Sequence, residues 1–189
     1  YQANINMPNP VDLCDTIPVT VEVTGTKIGN IRDLRIQLNL PANGLNYEAG
    51  SSELLYPQAT GYASVGNPTV SGNNYTWLVD TLDPALNAYG LPGVVLPDSN
   101  SLKLKFDLRT NCQFFDGTNF SVNITGNRAC GASLQPLYLS SSPININGGQ
   151  ASYQTQVDLS IDTITGCQKP QSMHVSVRNL GAGHTDTTD

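Results

Sequence analysis

Ser101 to Thr110, SLKLKFDLRT, alternates Leu102, Leu104, Phe106 and Leu108 with Lys103, Lys105, Asp107 and Arg109. A period of two places one set on a buried sheet face and the other in water. At helical spacing the same residues would scatter charge and leucine around the whole cylinder. As a strand, each buried leucine or phenylalanine contributes roughly 1.5–3 kcal/mol. The stretch is therefore a strand, and its pattern recurs along the chain.

Upstream, Val19, Val21 and Val23 alternate with Thr20, Glu22 and Thr24, and Leu34, Ile36, Leu38 and Leu40 follow before Pro41-Ala42-Asn43-Gly44 stops the strand. Tyr1 to Asn9 reads as an edge strand, because Pro8 and Pro10 lack the N–H that a central ladder needs. Leu45 to Ala49 is a short strand, Gly50 to Ser71 is mostly loop, and Tyr75, Trp77 and Val79 alternate again. Trp77, the sole tryptophan, is expected to anchor a core. Leu82 to Asn100, with Pro84, Pro92 and Pro97, is a second loop. Downstream, Phe120, Val122 and Ile124 form a strand that a hairpin connection, with Asp116-Gly117 as its turn, would join to the central one. The segments 134–139 and 144–147 close the unit. The fold class is all-β.

Composition agrees: of 189 residues only 13% are charged, while 17 Gly and 12 Pro punctuate short strands. The net charge of −6 argues against nucleic acid and anionic membrane surfaces as partners. No apolar run approaches the roughly 20 residues of a membrane span, so no direct membrane insertion is expected, and Tyr1 begins nothing like a signal peptide. The chain reads as a mature or excised piece.

The tail repeats the head. Tyr153-Gln154 answers Tyr1-Gln2, Cys167 answers Cys14, and Met173-His174-Val175-Ser176-Val177 answers Val19 to Val23. The expected domains are a sandwich over 1–149, ending at Gly148-Gly149, and the opening strands of a second, truncated copy over 150–189. Two strands alone cannot bury their apolar faces.

Cys14, Cys112, Cys130 and Cys167 include no CxxC pair, which favours structural disulfides in an oxidising compartment over metal ligation. Cys112–Cys130 is ranked first because it is local in sequence, with Cys14–Cys130 as the alternative; three cysteines per copy leave one over. His174 and His184 both lie in the tail, away from any nucleophile of the body, so no enzyme is expected. No cofactor is expected. Asp12/Asp15 and Asp80/Asp83 offer carboxylates to calcium, but the dense spacing of a calcium loop is absent. Tyr56, Tyr62 and Tyr89 in the proline-rich loops are the candidate stacking platform of a carbohydrate-binding module.

Val19 to Ser51, VTVEVTGTKIGNIRDLRIQLNLPANGLNYEAGS, resembles the immunoglobulin-like repeats of large bacterial surface proteins. The likeness runs from the valine strand and glycine turn to Leu40-Pro41, Gly44-Leu45, Tyr47 and Gly50-Ser51. Asn74 to Thr110 matches the second half: a tryptophan strand, Thr81-Leu82-Asp83-Pro84, then the leucine-alternating strand. Most of residues 1 to 130 are covered. The resemblance implies an immunoglobulin-like Greek-key β-sandwich, strung as a tandem module in a secreted adhesin or stalk. It is similar to exported adhesins of Bacteroidota, including the gliding-motility adhesins. Neighbouring repeats of the same polypeptide, surface glycans and other cells are the implied partners. The tripeptides beginning Asp15-Thr16, Asp80-Thr81, Asp162-Thr163 and Asp186-Thr187 resemble a periplasmic O-glycosylation signal of that phylum, where roughly one match is expected by chance. Thr16, Thr81, Thr163 and Thr187 are thereby the glycosylation candidates. The sequons at Asn74, Asn119 and Asn123 carry less weight in an Asn-rich chain. Departures from the pattern are the insertion from Leu55 to Asn73 and the cysteines.

Overall fold

The computed structural model describes residues 1–26, 29–57, 59–79, 94–96, 101–111, 113–128, 131–147, 153–159 and 173–179. The chain divides into two units, Tyr1–Asn145 and Ile146–Asp189.

Two antiparallel sheets make up the first unit. One contains β1 (Gln2–Asn6), β2 (Thr16–Thr24), β4 (Leu45–Tyr47), β5 (Glu53–Leu55), β6 (Ala63–Ser64) and β10 (Ser101–Thr110). The other contains β3 (Gly29–Asn39), β7 (Thr69–Ser71), β8 (Asn74–Leu78), β9 (Val94–Leu96), β11 (Ser121–Arg128) and β12 (Leu137–Ser140). Strand order in the first is β1-β2-β10-β5-β6, with β4 also on β10; in the second it is β12-β11-β3-β8-β7, with β9 also on β3. Among the described strands the chain changes sheet between β2 and β3, β3 and β4, β6 and β7, β9 and β10, and β10 and β11, the repeated crossing of a Greek-key sandwich.

The central stretch behaves as its alternation dictates. Leu102, Leu104, Phe106 and Leu108 are fully buried, opposite Val23, Val21, Val19 and Ile17 of β2. Lys103 and Lys105 point outward to Glu22 and Glu53, at 3.3 and 3.2 Å. From the second sheet Ile36, Leu38, Val122 and Ile124 close over this row. Trp77 is 0% exposed, stacked on Phe106 at 5.1 Å between ring centroids and edge-on to Tyr47 at 5.8 Å. Its indole N–H donates to the buried Ser52 hydroxyl at 3.1 Å, which lies 2.8 Å from the Tyr47 hydroxyl. The one large polar tip in this core is thus satisfied.

Two expectations change. The segment 111–118 is not a hairpin between β10 and β11: β10 pairs with β2, β4 and β5, while β11 pairs with β3 and β12 in the other sheet. The turn at Phe115–Thr118 forms, closed by Thr118 N–H to Phe115 O at 3.1 Å, but it carries the chain across the sandwich. Within Gly50 to Ser71, read as mostly loop, three short strands form, β5, β6 and β7, extending both sheets.

Gly44 (φ +88°) sits where a Cβ would come within 2.4 Å of Phe114 Cα and 2.8 Å of its nitrogen. Only glycine allows that approach. In the second unit, β13 (Tyr153–Leu159) and β14 (Met173–Asn179) form an antiparallel ribbon in which Val157 faces Val175 and Thr155 faces Val177.

Candidate functional site

The sandwich has a long axis, and the two poles differ in what they gather. β2 runs from Thr16 to Thr24; β10 returns antiparallel, so Thr110 stands beside Asp15 and Ser101 beside Thr24. At the Thr16 pole, Val11 N–H donates to Asn145 O at 2.9 Å, Thr118 pairs with Ile144, and Asn111 N–H donates to Gly44 O at 3.0 Å. At the opposite pole, the Tyr1 amine donates to the Thr26 hydroxyl at 3.2 Å, and Arg128 pairs with Ile31.

The outward faces of the two sheets are chemically different because their alternating polar residues differ. On the first sheet, Glu22, Lys103, Lys105, Glu53 and Asp107 form a charged, internally paired surface. The Ser101 hydroxyl and the Lys103 ammonium hold the Glu22 carboxyl below the usual carboxylate range. The Glu53 carboxylate pushes Lys105 up.

The second sheet carries mainly amides and hydroxyls, with exposed Arg35 in the row beside Gln37. Register places Tyr138, Asn123, Gln37, Thr76 and Thr69 in one row across all five strands of its path. The adjacent row is Ser140, Ser121, Asn39, Asn74 and Ser71. Tyr138 closes the first row at the sheet edge, 78% exposed. Asn123 Oδ1, in the middle of that row, is buried and has no hydrogen-bond partner. Two rows of neutral groups that both donate and accept can hold an uncharged polar polymer, and offer little to an ion. Reading along the sequence finds these residues only as solvent-facing positions; their alignment is set by pairing between distant strands.

Of the residues singled out from sequence, Tyr62 is 42% exposed with the Lys105 ammonium 5.9 Å from its ring centroid, on the charged face. Tyr56 is half-buried, its carbonyl accepting from Ala59 N–H at 2.9 Å; Tyr89 lies outside the described residues. Thr16 is exposed at the start of β2, and its N–H donates to Asp15 Oδ1 at 2.7 Å; Thr81, Thr163 and Thr187 lie outside the described residues. Cys14 is exposed; Cys112, Cys130 and Cys167 lie outside the described residues. Asp12 and Asp15 both use their carbonyls to hold Thr110, and Asp80 and Asp83 lie outside the described residues. Among the described residues no group of three His, Cys, Asp or Glu side chains stands ready for a metal, and no helix is long and apolar enough to cross a membrane.

No protein-family model and no curated protein matches the sequence. Solved structures do. Domains D2 and D3 of the major pilin SpaD from Corynebacterium diphtheriae align with a TM-score of 0.52 at 9% identity, over 88% of this chain and 58% of that one. BcpA, the major pilin subunit of Bacillus cereus, aligns at 0.47 and 8% identity, over 96% of this chain and 56% of that one. The collagen-binding subdomain of the Enterococcus faecalis surface protein ACE aligns at 0.43 and 13% identity, over 74% and 96%. The chain spans less than two thirds of either pilin structure. The first likeness, with the sheet topology above, identifies the architecture as an immunoglobulin-like β-sandwich.

Proposed function

We propose that this chain is a non-enzymatic structural and adhesive module of a bacterial cell-surface protein: a sandwich over 1–149, then the opening strands of a second copy over 150–189. The observation that carries the reading is a repeated hairpin. In β1–β2, Ile5 faces Val21 and Ala3 faces Val23; in β13–β14, Val157 faces Val175 and Thr155 faces Val177. The antiparallel pairing and the places of the two β14 valines are the same, with Val175 51% exposed where Val21 is buried. Tandem copies joined this way build a stalk, and neighbouring repeats are then the first partners. The pilin fold supports this use of the domain without naming a ligand. The Bacteroidota affiliation, and glycosylation at Thr16, Thr81, Thr163 and Thr187, rest on the sequence motifs; the exposure of Thr16 supports the first of those sites.

A second reading, a carbohydrate-binding module facing glycans or other cells, is favoured by the uncharged rows of the second sheet. A glycan array separates the two. Specific retention lost in Gln37→Ala and Thr76→Ala supports a binding face there. Loss only in Tyr56→Ala or Tyr62→Ala moves the site to the loops. No retention of a folded chain on any glycan leaves the spacer. The stalk itself is tested by reading the parent protein on from Asp189: sequence unlike residues 31–130 would sink the tandem repeat.

A further inference from the structure

Arg32 and Arg35 stand three residues apart in β3, a spacing that in a regular strand puts two side chains on opposite faces of the sheet. A bulge puts them on the same one. Between the pairs Asn127–Arg32 and Thr125–Arg35 the register slips, β3 advancing three residues while β11 advances two. Asp33 takes φ +51° within the slip, and Gly126 opposite leaves no room for a side chain, since a Cβ there would come within 2.7 Å of Ile31 Cγ2. Ile31 and Leu34 are therefore both buried, while Arg32 is half-buried and Arg35 exposed on the outer face.

Charge on this sheet is one-sided. Its strands carry Arg32, Arg35 and Arg128 against a single acid, Asp33, whose Oδ2 accepts from Asn127 Nδ2 at 3.0 Å. Among the described residues neither Arg32 nor Arg35 forms a salt bridge, whereas Lys103 and Lys105 of the first sheet are both paired. Arg32 Nε is buried without a hydrogen-bond partner, a cost that an oxyanion seated along the guanidinium edge would remove. Thr125 to Asn127 is two steps of strand, roughly 7 Å, so two long side chains rising beside them can close on one carboxylate. The next row along β3 is Asn123–Gln37, so the arginines border the amide rows directly.

We propose that the second sheet binds an acidic polysaccharide, its hydroxyls on the amide rows and a uronate carboxylate held between Arg32 and Arg35. The proposal rests on the carbohydrate-binding reading and names the class of glycan. Sugar hydroxyls donate and accept as the amides do, and the carboxylate supplies the charge that the arginines lack. The net charge of −6 is no obstacle, because at physiological salt charges beyond about 8 Å are largely screened and the arginines act locally.

The test is binding of the full chain to immobilised polygalacturonate and hyaluronan, each beside its carboxyl-methyl-esterified form, with neutral galactan and polyglutamate on the same surface. The expected result is retention on an acidic glycan that weakens as salt is raised, with its ester bound roughly tenfold or more weakly. Arg32→Gln and Arg35→Gln should each lose a similar factor on the acid alone, and Arg109→Gln, on the first sheet, should match the parent. Retention on esters or galactan that neither arginine variant changes overturns the anionic site and leaves a neutral glycan face. No retention of the folded chain on any glycan overturns both readings. Polyglutamate held as tightly as the acidic glycans, or an equal loss in Arg109→Gln, means that charge alone is read and overturns the polysaccharide.

Discussion

Gly44→Ala tests the closest backbone contact in the body. At φ +88° an alanine pays roughly 1–2 kcal/mol for a conformation that L side chains avoid. Its Cβ would lie 2.4 Å from Phe114 Cα and 2.8 Å from Phe114 N, both backbone atoms, so a side-chain rotation cannot relieve the overlap. The segments must part, which loosens the 3.0 Å bond from Asn111 N–H to Gly44 O, about 1 kcal/mol, and disturbs the buried Phe114 ring. The total is on the order of 3–5 kcal/mol, among the larger effects of single substitutions. At about 2–4 °C per kcal/mol for a chain this long, the melting midpoint should fall by roughly 6–20 °C. Gly50→Ala is the control: its φ is +82° with nothing within 4 Å of the added carbon, so it pays the dihedral share alone. Trp77 fluorescence follows the body specifically, since the second unit has no tryptophan. If Gly44→Ala proves no more damaging than Gly50→Ala, the argument that backbone proximity at Phe114 requires a glycine is wrong.

Two further outcomes follow from the core and the charged face. Ser52→Ala leaves the buried Trp77 N–H without its acceptor, while the Tyr47 hydroxyl keeps Asn67 Oδ1 at 3.4 Å; stability should fall by roughly 1–3 kcal/mol in urea titrations, and an unchanged midpoint would mean that water replaces the serine. The pKa of Glu22 is depressed in the folded state, first by the Ser101 hydroxyl and then by Lys103, so its contribution is fully present above the unfolded value near about 4.3 and is lost as pH falls through the folded one. Because the pair is partly exposed the effect is about 1 kcal/mol or less; Glu22→Gln should flatten the acid limb of the stability curve, and an identical limb in the variant would exclude this carboxyl as a contributor.

What the sequence makes legible is local. The alternation in β2, β3 and β10 is decided by residues two apart, and burial of Val19, Ile36 and Phe106 follows it directly. Trp77 is legible as a core anchor because no other residue of its size is available to fill the space between the sheets. Which sheet a strand joins is a different kind of fact. Asp116-Gly117 signals a turn whether the next strand folds back on β10 or crosses to β3, and the crossing is decided by which apolar faces remain uncovered. The amide rows have the same origin: Gln37, Asn123 and Thr76 each look like an ordinary solvent position, and only the pairing of β3, β8 and β11 puts them side by side. The short strands β5 to β7 were obscured for want of periodicity, since two or three residues carry too little pattern to stand out from a loop.

The two ends of the body lie at opposite poles, Tyr1 beside Thr26 and Asn145 beside Val11. A tensile load applied through them runs along the strand direction, so the cross-strand bonds are strained in shear and resist in concert instead of parting one after another like a zipper. A stack of such bodies would transmit pulling forces end to end while keeping its lateral faces at rest.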